Sequence, residues 1–316
     1  MGSEMCIRDR SENVMKKYSQ QDRRQFLSLA AKSTAFAAMA ASMQRRLYAE
    51  DQAGGGIKHS VCKWCYGGNS IEEIAVAGKA FGLTSIELLN PAQIKEAQAN
   101  GLTCAIVNAP WGTIDKGVKV GGIANAFNRK EHHDTLVEVY TKCIEESAAL
   151  GMKNIICFSG NRNGMDDEEG LQNCAEGIKR LLPVAEKHNM TISMELLNSL
   201  VNHKDYMCDS TKWGAKLAET IGSENFKLLY DIYHMQIMEG NVIKTIQDNH
   251  QYFSHYHTGG VPGRNEIDDT QELNYPAIVK AIADTGYNGF IGQEFIPARK
   301  DKLNSLKQGV EICTLK

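Results

Sequence analysis

Four residues in the C-terminal half have the types and settings of metal ligands. Asp231 closes an apolar run in KLLYDIYHMQ, Glu195 lies in ISMELLN, His257 in FSHYHTGG and Glu294 in GFIGQEFIP. Each run reads as a short strand, and a carboxylate in such a run is costly unless paired or bound to a metal. Three carboxylates and one neutral imidazole suit a hard or borderline divalent ion (Mn²⁺, Mg²⁺ or Co²⁺) rather than a thiolate-rich structural zinc. One such metal, held by Glu195, Asp231, His257 and Glu294, is therefore expected. It would leave positions for two adjacent oxygens of an α-hydroxy carbonyl compound and lower the cost of an enediolate. Glu195 and Glu294 then serve as the acid and base that move the proton on opposite faces of the substrate. His234, three residues after Asp231, can donate to a substrate oxygen. Arg264, in PGRNE, can hold a carboxylate or polar oxygens bidentately. His255 is expected to point away from the face of His257 by strand alternation and is read as structural. His132 and His133 open a helix and read as solvated.

Ligands at four strand ends need a scaffold that makes those ends converge. After Gly54-Gly55-Gly56 the chain repeats one theme eight times: short apolar strand, polar loop, helix. The strands are IKHSVCKW, SIELLN, TCAIVNAP, NIICFSG, TISMELLN, the opening run around Asp231, FSHYHTGG and GFIGQEFIP. Ser70 with Glu73 makes a capping box for the first helix, Pro91 opens the second, and Gly82 and Gly151 mark helix stops. Acids from Asp166 to Glu169 crowd a further helix start, where they suit the dipole. Parallel strands need long crossovers, and eight of them close a (β/α)8 TIM barrel of roughly 250 residues. The fold is read as α/β, a single barrel domain over 59–316. An open doubly wound sheet would instead need a Gly-rich phosphate loop after its first strand, and CYGGNS is not one.

The chain has 316 residues, 42% of them hydrophobic, and a formal charge of −3. That supports one full-sized core and gives no electrostatic reason to expect nucleic acid. No apolar run approaches the ~20 residues of a membrane span, so no stable membrane anchor is expected. Residues 1–14 read as an upstream mis-start or a cloning remnant, and 50–58 as a linker. Residues 15–49 read as a twin-arginine signal: Lys16 and Lys17, then Arg23-Arg24 before Gln25, Phe26 and Leu27, then an Ala-rich stretch ending near Ala49. Export to the periplasm is the expectation. Nine cysteines are present, Cys6 in the leading segment. Cys104, Cys143, Cys157 and Cys174 sit in strand or helix patterns and read as small core residues. Cys62 and Cys65 form a CxxC without a second pair to complete a zinc site, so redox or metal chemistry there is the weaker reading.

From about Ser60 to its end the chain resembles the xylose-isomerase-like TIM barrels, the sugar isomerase/epimerase superfamily, in its hydroxypyruvate isomerase branch. The resemblance lies in MELLN, YDIYHMQ, HYHTGGVPGRNE followed by ELNY, and IGQEF. It implies Glu195, Asp231, His257 and Glu294 as metal ligands, Glu195 and Glu294 as acid/base residues, and His234 and Arg264 as substrate contacts. It implies interconversion of hydroxypyruvate and tartronate semialdehyde, or reaction of a related keto-sugar, with a small carbohydrate or hydroxy-keto acid as the partner. A homo-oligomer stays open. The loop SLVNHKDYMCDS departs from that branch, and an exported enzyme that cleaves a 3-keto-glycoside through the same enolisation is the alternative. A non-catalytic sugar-binding barrel has no use for a second glutamate. An endonuclease-IV-like repair enzyme needs a larger ligand cluster and a basic groove.

Overall fold

Leu228, Leu229 and Tyr230 are all fully buried in one run, as a strand covered on both faces requires. The same holds for Ile192 and Met194, and for Ile155 with Ile156. Each such side chain contributes roughly 1.5–3 kcal/mol when removed from water. The computed structural model describes residues 56–315. The expected leading segment, the signal at 15–49, Cys6 and most of the linker lie outside the described residues.

Strand β1 (Lys58–Cys62) passes through a 3₁₀ turn (Lys63–Tyr66) into α1 (Ile71–Lys79), and β2 (Leu83–Glu87) leads to α2 (Pro91–Ala99). A small antiparallel pair, β3 (Gly112–Thr113) and β4 (Lys119–Val120), precedes α3 (His133–Ala149). Then β5 (Asn154–Cys157) is followed by α4 (Asp167–Lys179) and α5 (Leu182–His188), and β6 (Thr191–Glu195) by α6 (Thr211–Ile221). Strand β7 (Phe226–Asp231) runs straight into α7 (Ile232–Met238), then α8 (Val242–Asn249). Last come β8 (Phe253–Thr258), α9 (Tyr275–Asp284), β9 (Phe290–Gln293) and α10 (Lys302–Cys313).

Seven strands form one parallel sheet in the order β2-β1-β9-β8-β7-β6-β5. The expected strand TCAIVNAP fills the gap between β2 and β5, but as single bridges rather than a regular ladder. Thr103 pairs with Ser85, and Val107 pairs with both Leu89 and Ile155. Val107 N donates to Asn154 O at 2.9 Å, and Ile156 N to Val107 O at 3.0 Å, so the ring closes there. The ladder is broken because Ala105 N gives its hydrogen bond to the Ser85 hydroxyl at 2.8 Å instead of a carbonyl. The fold is an eight-stranded α/β barrel with one irregular stave.

The helix signals hold. Ser70 and Glu73 make the reciprocal capping box of α1, Asn90 caps α2 ahead of Pro91, and Asp166 caps α4. Gly82 and Gly151, past the ends of α1 and α3, take φ of +90° and +85°. All eight cysteines among the described residues are buried and free. The expectation for His132 and His133 fails. Both are buried, because their rings turn inward to the carbonyls of Ala126 and Phe127, each at 2.9 Å. No helix among the described residues is long and apolar enough to cross a membrane.

Candidate metal centre

Local structure aims the four expected ligands at one point. Asp231 is both the last residue of β7 and the cap of α7, its Oδ1 accepting from His234 N at 3.1 Å. Register places Asp231 beside His257, and His257 beside Gly292, two residues before Glu294. Glu195 ends β6, paired with Leu229 of β7. One donor atom from each of Glu195, Asp231, His257 and Glu294 lies within 4.8 Å of the others, and all four residues are buried.

Three of those atoms lack a well-formed hydrogen bond. Glu195 Oε1, Asp231 Oδ2 and His257 Nδ1 are buried without a hydrogen bond. His257 Nδ1 lies 3.0 Å from Glu294 Oε2 and 3.4 Å from Glu195 Oε1. Buried polar atoms are almost always satisfied, so three that lack a well-formed hydrogen bond in one acidic cluster fit a site for a cation. The donor set, three carboxylates and an imidazole nitrogen, fits one divalent ion.

The electrostatics agree. Burial, then the charge of Glu294, pushes Glu195 up from the usual carboxylate value and Asp231 well above it. Burial also opposes ionisation of Glu294, but His257 and Arg264 hold it well below the usual value. Burial likewise works against a charged His257, yet its neighbours Cys62 and Glu294 keep it well above the ordinary histidine value. Burial thus disfavours charge on Glu195 and Asp231, whose charged forms a bound cation would favour.

The two expected substrate contacts sit beside this centre. His234 Nδ1 accepts from Asn198 N at 3.2 Å and lies 2.6 Å from Asn198 Nδ2. That leaves the proton on Nε2, which is unpartnered and 3.7 Å from Asp231 Oδ2. Burial, then Arg264, holds His234 well below the ordinary histidine value, so the ring is neutral. Arg264 Nη2 lies 2.7 Å from Glu294 Oε2 and 3.5 Å from Asp231 Oδ2. Its guanidinium sits over the rings of Trp64 and Tyr233, at 5.1 and 5.4 Å.

Two residues at the site went unread in the sequence. Trp64, within the CxxC, is 46% exposed and donates Nε1–H to Glu294 Oε1 at 2.9 Å. Glu87 is fully buried at the end of β2, with His257 Nε2 at 2.7 Å and His255 Nε2 at 2.9 Å from its Oε1. Its signal was the same as that of the four ligands, an acid closing an apolar run in SIELLN. The expected orientation of His255, away from the face of His257, is overturned by this contact. Residues two apart on a strand share a face, and the His255 and His257 rings lie 5.1 Å apart on that face. The CxxC cysteines are packing and hydrogen-bonding residues here: Cys65 Sγ donates to Glu294 O at 3.3 Å, and Cys62 Sγ to Glu87 Oε1 at 3.4 Å.

Residues 73–313 match the family model described as a xylose isomerase-like TIM barrel. The hydroxypyruvate isomerase of Escherichia coli (strain K12) is 30% identical over 203 residues, covering 63% of this chain and 75% of that one. The 2-oxo-tetronate isomerase of Cupriavidus necator is 27% identical over 228 residues, covering 70% and 85%. Among solved structures, an AP endonuclease, family 2, from Brucella melitensis matches with a TM-score of 0.67 at 23% identity. That match covers 79% of this chain and 97% of the other, and it is a likeness of fold alone.

Proposed function

The chain belongs to the xylose isomerase-like TIM-barrel family, and on that basis we propose that it is a divalent-metal-dependent isomerase of a small hydroxy-carbonyl compound. The substrate we assign is a hydroxy-keto acid of the hydroxypyruvate or 2-oxo-tetronate kind, by likeness to the two relatives. The observation that carries the reading is the set of buried, unpartnered atoms on Glu195, Asp231 and His257, joined by Glu294. These four residues would hold the metal. When bound, it supplies Lewis-acid stabilisation of the negative charge that develops on adjacent substrate oxygens.

The remaining work falls to side chains. One of Glu195 and Glu294 takes the carbon-bound proton beside the carbonyl, and the other returns a proton to the neighbouring carbon. The C–H bond and carbonyl π bond that break are replaced by a C–H bond on the former carbonyl carbon and a carbonyl on its neighbour. The hydroxyl proton passes from one oxygen to the other, so the product is an isomer. His234 presents Nε2–H to a substrate oxygen, its tautomer fixed by the Asn198 N–H on the far nitrogen. Arg264 reaches the same space and holds the substrate carboxylate. Trp64 walls the mouth, and its hydrogen bond keeps Glu294 Oε1 in place.

A second reading draws on the exposed apolar side chains of the loops at the strand ends, Trp64, Trp111, Leu200, Val201 and Ile296. Exposed apolar side chains on these loops suit a bulkier sugar. After enolisation of a 3-keto-glycoside the glycosidic C1–O bond would break, the departing oxygen taking a proton from His234 or a loop residue. Turnover of hydroxypyruvate, a 2-oxo-tetronate and a 3-keto-glycoside is the test, each with Mn²⁺ or Mg²⁺ before and after EDTA. Metal-restored isomerisation of the first two supports the main reading. Activity that EDTA leaves untouched overturns it.

We further propose that residues 15–49 export the chain by the twin-arginine route. Fractionation of cells carrying Arg23→Lys with Arg24→Lys tests this: retention of the product inside the cell is expected, and unchanged export contradicts it.

A further inference from the structure

One oxygen of the fully buried Glu87 is a meeting point for donors from two other strands. His257 Nε2 lies 2.7 Å from Oε1, His255 Nε2 2.9 Å, and the Cys62 thiol donates at 3.4 Å. His257 is thereby gripped from behind. Its Nε2 faces Glu87, while its Nδ1 faces Glu195 Oε1 and Glu294 Oε2 on the opposite side of the ring. Strand β9 is shaped to admit the pair. A methyl group on Gly292 would overlap Glu87 Oε1 and come within 2.9 Å of His257 Cδ2. Gly292 is not among the glycines with a left-handed backbone, so space is what its missing side chain provides.

We propose that Glu87 is a positioning residue for the metal centre. It accepts Nε2–H of His257 and so turns Nδ1 toward the metal, with His255 steadying Glu87 and Gly292 making room for both. This rests on the reading of Glu195, Asp231, His257 and Glu294 as the metal ligands. Glu87 is placed to act through His257, because it meets Nε2 on the side of the ring away from Glu195 and Glu294. A carboxylate on the far nitrogen of a ligating imidazole fixes the ring and raises its basicity, and losing one typically costs about 10–100-fold in metal affinity.

The test is a calorimetric titration of the chelator-stripped full chain with Mn²⁺, for the unaltered protein, Glu87→Gln and Gly292→Ala. The Mg²⁺-loaded forms are read in parallel by proton NMR of the imidazole N–H region. The unaltered protein should bind one Mn²⁺ per chain and show slowly exchanging, downfield Nε2–H signals from His255 and His257. Glu87→Gln should weaken Mn²⁺ binding roughly 10–100-fold and move both signals upfield. Gly292→Ala, which keeps every polar group, should weaken binding in the same direction. Unchanged affinity and unmoved signals in Glu87→Gln overturn the proposal while leaving the metal centre intact. Failure of the unaltered protein to bind Mn²⁺ overturns the metal centre itself, and this proposal with it. Should Glu87→Gln not fold, Gly292→Ala and the signals of the unaltered protein decide: native affinity in the first, or no downfield Nε2–H in the second, overturns it.

Discussion

Arg264 Nη2 lies 2.7 Å from Glu294 Oε2, the same oxygen that faces His257 Nδ1 at 3.0 Å. A cation from the loop after β8 thus balances the acid that directly follows β9, at the edge of the space assigned to a metal. Arg264→Lys keeps the charge but loses the planar fork. It should lower kcat/KM by roughly 10- to 100-fold, as losing a charge-assisted hydrogen bond of about 1.5–3 kcal/mol implies. Steady-state kinetics on hydroxypyruvate check this, and a native kcat/KM would remove Arg264 from the site.

Glu294→Gln should abolish turnover, a loss of at least roughly 10²–10⁴-fold from a missing acid or base, while far-UV circular dichroism stays native. Glu195→Gln should do the same. An active Glu294→Gln enzyme would sink the two-glutamate mechanism.

His234→Gln should cut kcat by roughly 10²-fold and leave Mn²⁺ affinity within about threefold, because the role proposed for His234 is toward the substrate rather than the metal. Parallel kinetics and titration separate the two effects. A matching loss of metal binding would make His234 part of the ligand set.

Metal should stabilise the fold. At about 100 times its Kd an ion that binds only the native chain adds about 2.7 kcal/mol. For a domain of this size that raises Tm by roughly 5–10 °C. Thermal melts with Mn²⁺ and with EDTA check the shift, and identical melts would count against a site built from buried carboxylates.

Acid should weaken the protein partly through His133. Burial lowers this residue from the ordinary value of 6.5, though its hydrogen bond to the Phe127 carbonyl pulls the other way. A depressed folded value means the unfolded chain takes up the proton first. Its stabilising contribution is therefore complete above about pH 6.5 and lost as pH falls toward the folded value. Melts from pH 7.5 down to 5.5 should show Tm falling, and His133→Gln should flatten that slope. A slope unchanged by the substitution would place the acid sensitivity elsewhere.

The candidate metal ligands were legible because each lies at the end of its own apolar strand, where a buried charge needs a partner or a metal. The barrel was legible for a related reason, since repeated strand–helix units with long crossovers leave few closed solutions. Glu87 carried the same signal as the ligands, but its meaning lies in partners 168 and 170 residues away. Only the closed ring brings β2 within reach of His255 and His257. His255 shares the face of His257 because side chains two apart on a strand point the same way. The irregular stave at 103–108 was read as an ordinary strand because the interrupting group, the Ser85 hydroxyl, belongs to its neighbour. His132 and His133 looked solvated at a helix start. Carbonyls of the preceding loop, which no helical pattern reveals, draw them inside.

The most direct measurement of the central claim is deuterium incorporation by NMR in D₂O. Hydroxypyruvate, 2-oxo-tetronates, free ketoses and 3-keto-glycosides would be incubated with the Mg²⁺-loaded protein and with an EDTA-treated control. The account predicts exchange at the carbon beside the carbonyl that needs the metal and disappears in Glu294→Gln, fastest with a hydroxy-keto acid. Stoichiometric metal with no exchange into any of these compounds would contradict it.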